Sequence, residues 1–173
     1  MKQALLSVLL LCGCGDLLSF DIDRSIPEQQ VMGNPIGGAL PGLLGVGIPV
    51  DLDLEQETQA RNTGPVSKVS LSALSLAVTT TSEPAGDIDD LAFIDSIDVF
   101  VSSTRADTTL PRLKVAELRN VADGQRSVSF ETTDVNIQDH IEEGARIETE
   151  ASGTAPDDDV SYDGSFTITV DIL

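Results

Sequence analysis

The stretch "PDDDVSYDGSF", residues 156–166, carries the arrangement with the clearest chemical capacity in this chain. Asp159, Ser161 and Asp163 stand at alternate positions ahead of Gly164. Hard oxygen donors at that spacing, followed by a glycine at a sharp turn, make up the first half of a twelve-residue calcium-binding loop. The twelfth position, where a bidentate acid would close the loop, falls on Val170, so the full motif fails. Ca²⁺ at Asp159, Ser161 and Asp163 would therefore need donors from other loops. The segment "GDIDDLAF", with Asp87, Asp89 and Asp90, can supply them. An acidic turn in an acidic protein is the plainer reading of both segments.

Catalysis is harder to assemble. His140 is the single histidine, and its neighbours Asp139, Glu142 and Glu143 predict a solvated helical turn within "VNIQDHIEEG". No G-x-S-x-G elbow accompanies it to motivate a serine nucleophile. A carboxylate pair for glycoside hydrolysis is a matter of spatial pairing, which 29 acids leave open. With five Phe, one Tyr and no Trp, however, the chain has little on which to stack a sugar ring. No catalytic residue is assigned, and a non-enzymatic role is expected.

The elements that must position these groups are strands, because apolar residues alternate with period two nearly throughout. Phe20 and Ile22 alternate in "SFDIDRSI", and Ile48, Val50, Leu52 and Leu54 in "IPVDLDLE", which predicts a half-buried strand with carboxylates on its wet face. In "VSKVSLSALSLAVTT", Val69, Leu71 and Ala73 share one face and Leu74, Leu76 and Val78 the other. A β-bulge at Ala73-Leu74 would make that switch. Ile97, Val99 and Val101 follow, then Leu113 with Val115, Val128 with Phe130, Ile147, and finally Phe166, Ile168, Val170 and Ile172. Turn signals at Asn62-Thr63-Gly64-Pro65, Glu83-Pro84-Ala85-Gly86, Asp123-Gly124 and Asp163-Gly164 separate them. The fold class expected is all-β, an antiparallel β-sandwich of about seven to nine short strands.

A formal charge of −19 argues against binding nucleic acid or an anionic membrane face through charge. A solvated acidic surface is the ordinary meaning of such an excess, and a divalent-ion role the sharper one. A hydrophobic content of 40% in a strongly patterned chain argues against disorder. Residues 31–50, "VMGNPIGGALPGLLGVGIPV", carry no charge and are too rich in Gly and Pro for a straight helix or a central strand. They read as an apolar plug at one end of the sandwich, or as a greasy loop that meets a membrane, a partner or an apolar ligand.

The amino-terminal segment supplies the address. Lys2 precedes an apolar run from Ala4 to Leu11 that is interrupted only by Ser7. This layout is that of an export signal, and the run is too short to span a bilayer. Cys12 and Cys14, the only cysteines, close it in "LLLCGCG". A Cys12–Cys14 redox or metal pair is the alternative use, but no partner cysteines exist elsewhere in the chain.

The tetrad Leu11-Cys12-Gly13-Cys14 resembles the lipobox of bacterial lipoproteins. The resemblance implies that residues 1–13 are a signal peptide cleaved after Gly13, and that Cys14 is the lipidation site. Its thiol would carry a diacylglycerol and its new amino group an acyl chain, enough chains for a stable membrane anchor. Cysteine at the second position of the box departs mildly from the commoner Ala or Ser. Gly15, and not an Asp, follows Cys14, with Asp16 one further on. The resemblance thus implies an outer-membrane rather than an inner-membrane address in the cell envelope. Residues 14–19 form a lipidated tether, since Cys14 to Phe20 spans at most about 20 Å. Residues 20–173 form a single acidic domain.

The leading expectation is a membrane-anchored envelope lipoprotein with a non-enzymatic binding or structural role and an unknown protein partner. The alternatives are a carrier of apolar or lipid ligands and a calcium-dependent adhesion module.

Overall fold

The computed structural model describes residues 19–34, 36, 48–50, 52–84 and 87–173. The tetrad Leu11-Cys12-Gly13-Cys14, most of the expected tether 14–19, and most of the uncharged stretch 31–50 lie outside the described residues.

Among the described residues, nine strands and two short helices follow one another in chain order. They are β1 (Ser19–Val31), β2 (Ile48–Val50), α1 (Leu54–Arg61), β3 (Val66–Val78), β4 (Ile94–Ser103), β5 (Leu113–Arg119), β6 (Ser127–Ser129), β7 (Glu131–Thr132), α2 (Gln138–Glu143), β8 (Ala145–Gly153) and β9 (Val160–Ile172). The strands form an antiparallel β-sandwich of two sheets, in the orders β1-β9-β3-β6 and β2-β8-β4-β5-β7. The period-two residues face one another between the sheets. Phe20, Ile22, Val69, Leu76, Phe166, Ile168 and Val170 from the first sheet meet Ile97, Val99, Val101, Val115 and Ile147 from the second in one buried cluster. Such burial is worth about 1.5–3 kcal/mol per large apolar side chain, which is what holds two amphipathic sheets together.

The last strand lies between the first and the third, so the two ends of the described chain are neighbours. Ser19 pairs with Asp171, and Val31, at the far end of β1, pairs with Val160. β1, β3 and β9 have 13 residues each, longer than the short strands the sequence predicts. Bulges allow that length. The β3 register slips between Leu71 and Ala73, which puts Val69, Leu71, Leu74 and Leu76 all on the core side. The bulge therefore falls one residue ahead of the expected place, and Ala73 is exposed.

Two expectations are corrected. Ile48 to Leu54 is not one strand, since β2 ends at Val50 and Leu54 opens α1. Asp53 caps this helix, its Oδ1 accepting the Gln56 amide at 2.9 Å, and Asn62 ends it in the left-handed region at φ 52°. A capping oxygen outweighs two-residue alternation over so short a segment. The turn expected at Asp163-Gly164 is also absent, because β9 runs straight through it. Gly164 serves instead where three strands crowd together: a Cβ there would lie 2.4 Å from the Ser75 carbonyl oxygen and 2.8 Å from Leu76 Cδ2.

Candidate metal centre

Two loops meet at the end of the sandwich where β1 stops. One joins β3 to β4 and the other joins β8 to β9. The second is held by the chain leaving β1: the Gly33 amide donates to Asp159 Oδ1 at 2.8 Å, and the Asn34 amide to the Pro156 carbonyl at 2.7 Å. The approach at Gly33 excludes any side chain, because a Cβ there would fall 2.2 Å from Asp158 Cα. In the first loop, Asp90 works as a structural clasp. Its Oδ1 accepts the Ala92 amide at 2.9 Å and its Oδ2 the Gly124 amide at 2.7 Å. Leu91, fully buried, anchors the same turn in the core.

Between these fixed points, Asp87, Asp89 and Asp158 each present a carboxylate oxygen, and the three oxygens lie within 4.8 Å of one another. They open on a cleft of about 440 Å³ that Ile88, Phe93 and Pro156 also line. Asp89 is only 4% exposed, and its Oδ2 has no hydrogen-bond partner. The buried Ser82 hydroxyl is near enough to favour the ionised carboxyl slightly, yet it makes no bond of normal length and angle. The nearest base, Arg126, spends one nitrogen on the Asp89 carbonyl oxygen at 2.8 Å and another on the Glu83 carboxylate.

The electrostatics follow from that geometry. Burial pushes the Asp89 carboxyl above the usual carboxylate range, and the negative charges of Asp87 and Glu83 push it further, with Arg126 offsetting only part. The Asp158 carboxyl is raised as well, first by its approach to the Asp87 carboxyl and then by burial. Two carboxyls at such range are favourable together only when a proton or a cation lies between them.

The residues singled out from sequence take different places. Asp159 is a backbone anchor through Gly33, Ser161 is buried in β9, and Asp163 is exposed on the same strand. Because β9 is extended, Asp159 and Asp163 are separated by about 13 Å at strand spacing, too far to share one ion. Asp87 and Asp89 do converge on a partner from 156–159, but that partner is Asp158. The run Asp157-Asp158-Asp159 was a visible signal, but the role of each member depends on the Gly33 approach, which no local pattern reveals.

His140 is also corrected. It is buried rather than solvated, and its Nε2 donates to the Pro111 carbonyl oxygen at 2.8 Å, which makes it a brace beneath α2.

Fold and site together define an acidic antiparallel β-sandwich with a three-aspartate cluster at one end. No family model and no curated protein matches the chain. Among solved structures, the decameric BFDV capsid protein is similar at a TM-score of 0.43 and 10% identity, over 88% of this chain and 97% of that one. The 60-mer of the BFDV capsid protein gives a TM-score of 0.38 and 12% identity, over 89% and 93%. Likenesses at this level carry no argument about this chain.

Proposed function

We propose that this protein is a bacterial envelope lipoprotein, lipidated at Cys14, whose sandwich binds a partner rather than transforming a substrate. The observation that carries the reading is how soon the fold begins after the tetrad Leu11-Cys12-Gly13-Cys14: Ser19 is already in register with Asp171. Anchor and sandwich would be joined by at most about 18 Å of extended chain. β1 then climbs away from the anchor for about 40 Å at strand rise. It ends beside the aspartate cluster, which on this reading faces away from the bilayer.

The same end holds the exposed apolar side chains Met32, Ile36 and Ile88, at 71%, 94% and 77% exposure. Apolar groups rimmed by carboxylates are the composition of a recognition surface rather than of a solvated cap.

The test is the mass of the protein extracted from its native membrane in mild detergent. Residues 14–173 plus acyl groups is the expected result. An unmodified chain that keeps residues 1–13 would overturn the reading and return Cys12 and Cys14 to other chemistry.

A further inference from the structure

We infer that Asp87, Asp89 and Asp158 form a divalent-cation site, selective for Ca²⁺, that clamps the β3–β4 loop to the β8–β9 loop. Two independent observations meet here. The first is convergence of three carboxylate oxygens, drawn from two loops far apart in sequence, to within 4.8 Å. The second is the state of Asp89. An exposed acid needs no partner, since water solvates it, but Asp89 is 4% exposed and its Oδ2 has no donor. A buried carboxylate without a counter-charge costs several kcal/mol, and proteins keep one where something binds it.

The chemistry selects the ion. All three donors are carboxylate oxygens, which suit hard cations and not the softer metals that favour imidazole or thiolate. Carboxylates drawn from two separate loops suit the flexible, irregular oxygen shell of Ca²⁺ better than the near-ideal octahedron that Mg²⁺ demands. The cleft of about 440 Å³ leaves room for waters to complete a six- to eight-fold shell. Arg126 does not fill the role, because both its engaged nitrogens are taken up by Glu83 and by the Asp89 main chain.

A clamp here would set the position of Ile88 on one loop and, through Asp158 and Asp159 on the other, that of Gly33 beside Met32 in the chain leaving β1. It would thereby order the apolar surface described above. The cation site stands whether or not Cys14 is lipidated. Only its placement away from the bilayer rests on the lipoprotein reading.

The experiment is calorimetric titration of CaCl₂ into the full chain, in detergent and stripped with EDTA, beside thermal melts of the same sample. The expected result is one Ca²⁺ per chain with millimolar or tighter affinity, and a melting temperature raised by about 3–6 °C at 5 mM Ca²⁺. Asp89→Asn and Asp158→Asn should each weaken binding at least tenfold, while Asp163→Asn, on the exposed face of β9, should leave it unchanged. Absence of binding by the parent chain would overturn the site. So would equal loss in Asp163→Asn, which would mean diffuse attraction to an acidic surface, and an equal response to MgCl₂ would overturn the selectivity. A mass spectrum of the same sample reports Cys14 separately, so the two proposals fail independently.

Discussion

Carboxylates on two regions of this molecule behave in opposite ways. On the outer face of the β2-β8-β4-β5-β7 sheet, Arg112, Lys114, Arg119 and Arg146 interleave with Asp98, Glu117, Glu148 and Glu150. Lys114 reaches Asp98 at 2.7 Å, Arg146 reaches Glu148 at 2.7 Å, and Arg112 also stacks over the Phe100 ring at 3.5 Å. Hydrogen bonds from Lys114 and Arg119 hold the Asp98 carboxyl below its ordinary value, and the Ser102 hydroxyl with Arg146 does the same for Glu148. At the loop end, Asp89 and Asp158 are displaced upward. With 10 bases for 29 acids, cations cannot be spread evenly. The sheet face receives four of them, and the loop end is left with an arginine already in use. An acidic composition thus says nothing of which acids are satisfied. The distribution of the few bases decides that.

The strongest way to break the contrast is to move the loop that carries Asp158. Gly33→Ala would place a methyl group on the Asp158 backbone, and neither side of that contact is a flexible side-chain tip. Chemical denaturation should show a loss of about 2–3 kcal/mol. Calcium binding should fall with it.

Charge removal should then act with opposite sign in the two regions. Asp89→Asn deletes a buried, unpaired charge, so the calcium-free chain should gain about 1 kcal/mol at pH 7 while losing its response to the ion. Asp98→Asn removes the acceptor of Lys114 and Arg119 on a half-exposed face, and should cost about 0.5 kcal/mol, a loss that shrinks in high salt. Urea melts of the two variants side by side would read both signs.

The pH profile sharpens the comparison. A carboxyl whose folded value is raised makes the folded chain the stronger proton binder, so stability rises as pH falls through that raised value toward the unfolded one. Asp89 and Asp158 act this way, in the window above the ordinary carboxylate value of about 4. A lowered carboxyl contributes stability above the unfolded value that is lost as pH falls through the folded one, so Asp98, Glu117 and Glu148 act below about pH 4. Thermal melts without calcium should therefore show stability rising from pH 7 toward about 5 and falling below about 4. Saturating Ca²⁺ should flatten the first limb and leave the second.

Much of the sandwich was legible because burial between two sheets imposes alternation. Ile97, Val99 and Val101, or Phe166, Ile168 and Val170, announce a strand and its inner face together. What was not legible rests on contacts between residues distant in sequence. Nothing near Gly164 says that Ser75 and Leu76 crowd it, so a glycine after an aspartate reads as a turn when it is mid-strand. The helix after Asp53 was available from Asp53 and Gln56 as a capping pair, and was hidden by the alternation of Val50, Leu52 and Leu54. At the site, the two acidic segments could be read but their pairing could not. Which of Asp157, Asp158 and Asp159 turns toward Asp87 is set by the close approach of Gly33 from the other end of the chain.

The central claim is that the loop-end carboxylates lack a counter-charge which Ca²⁺ supplies, while those on the sheet face already have theirs. NMR titration of the aspartate side-chain carboxyl carbons measures this residue by residue, with and without calcium. Asp89 should titrate above the ordinary aspartate value in EDTA and well below it with Ca²⁺, while Asp98 should titrate low in both. An Asp89 that titrates at the ordinary value and ignores calcium would contradict it.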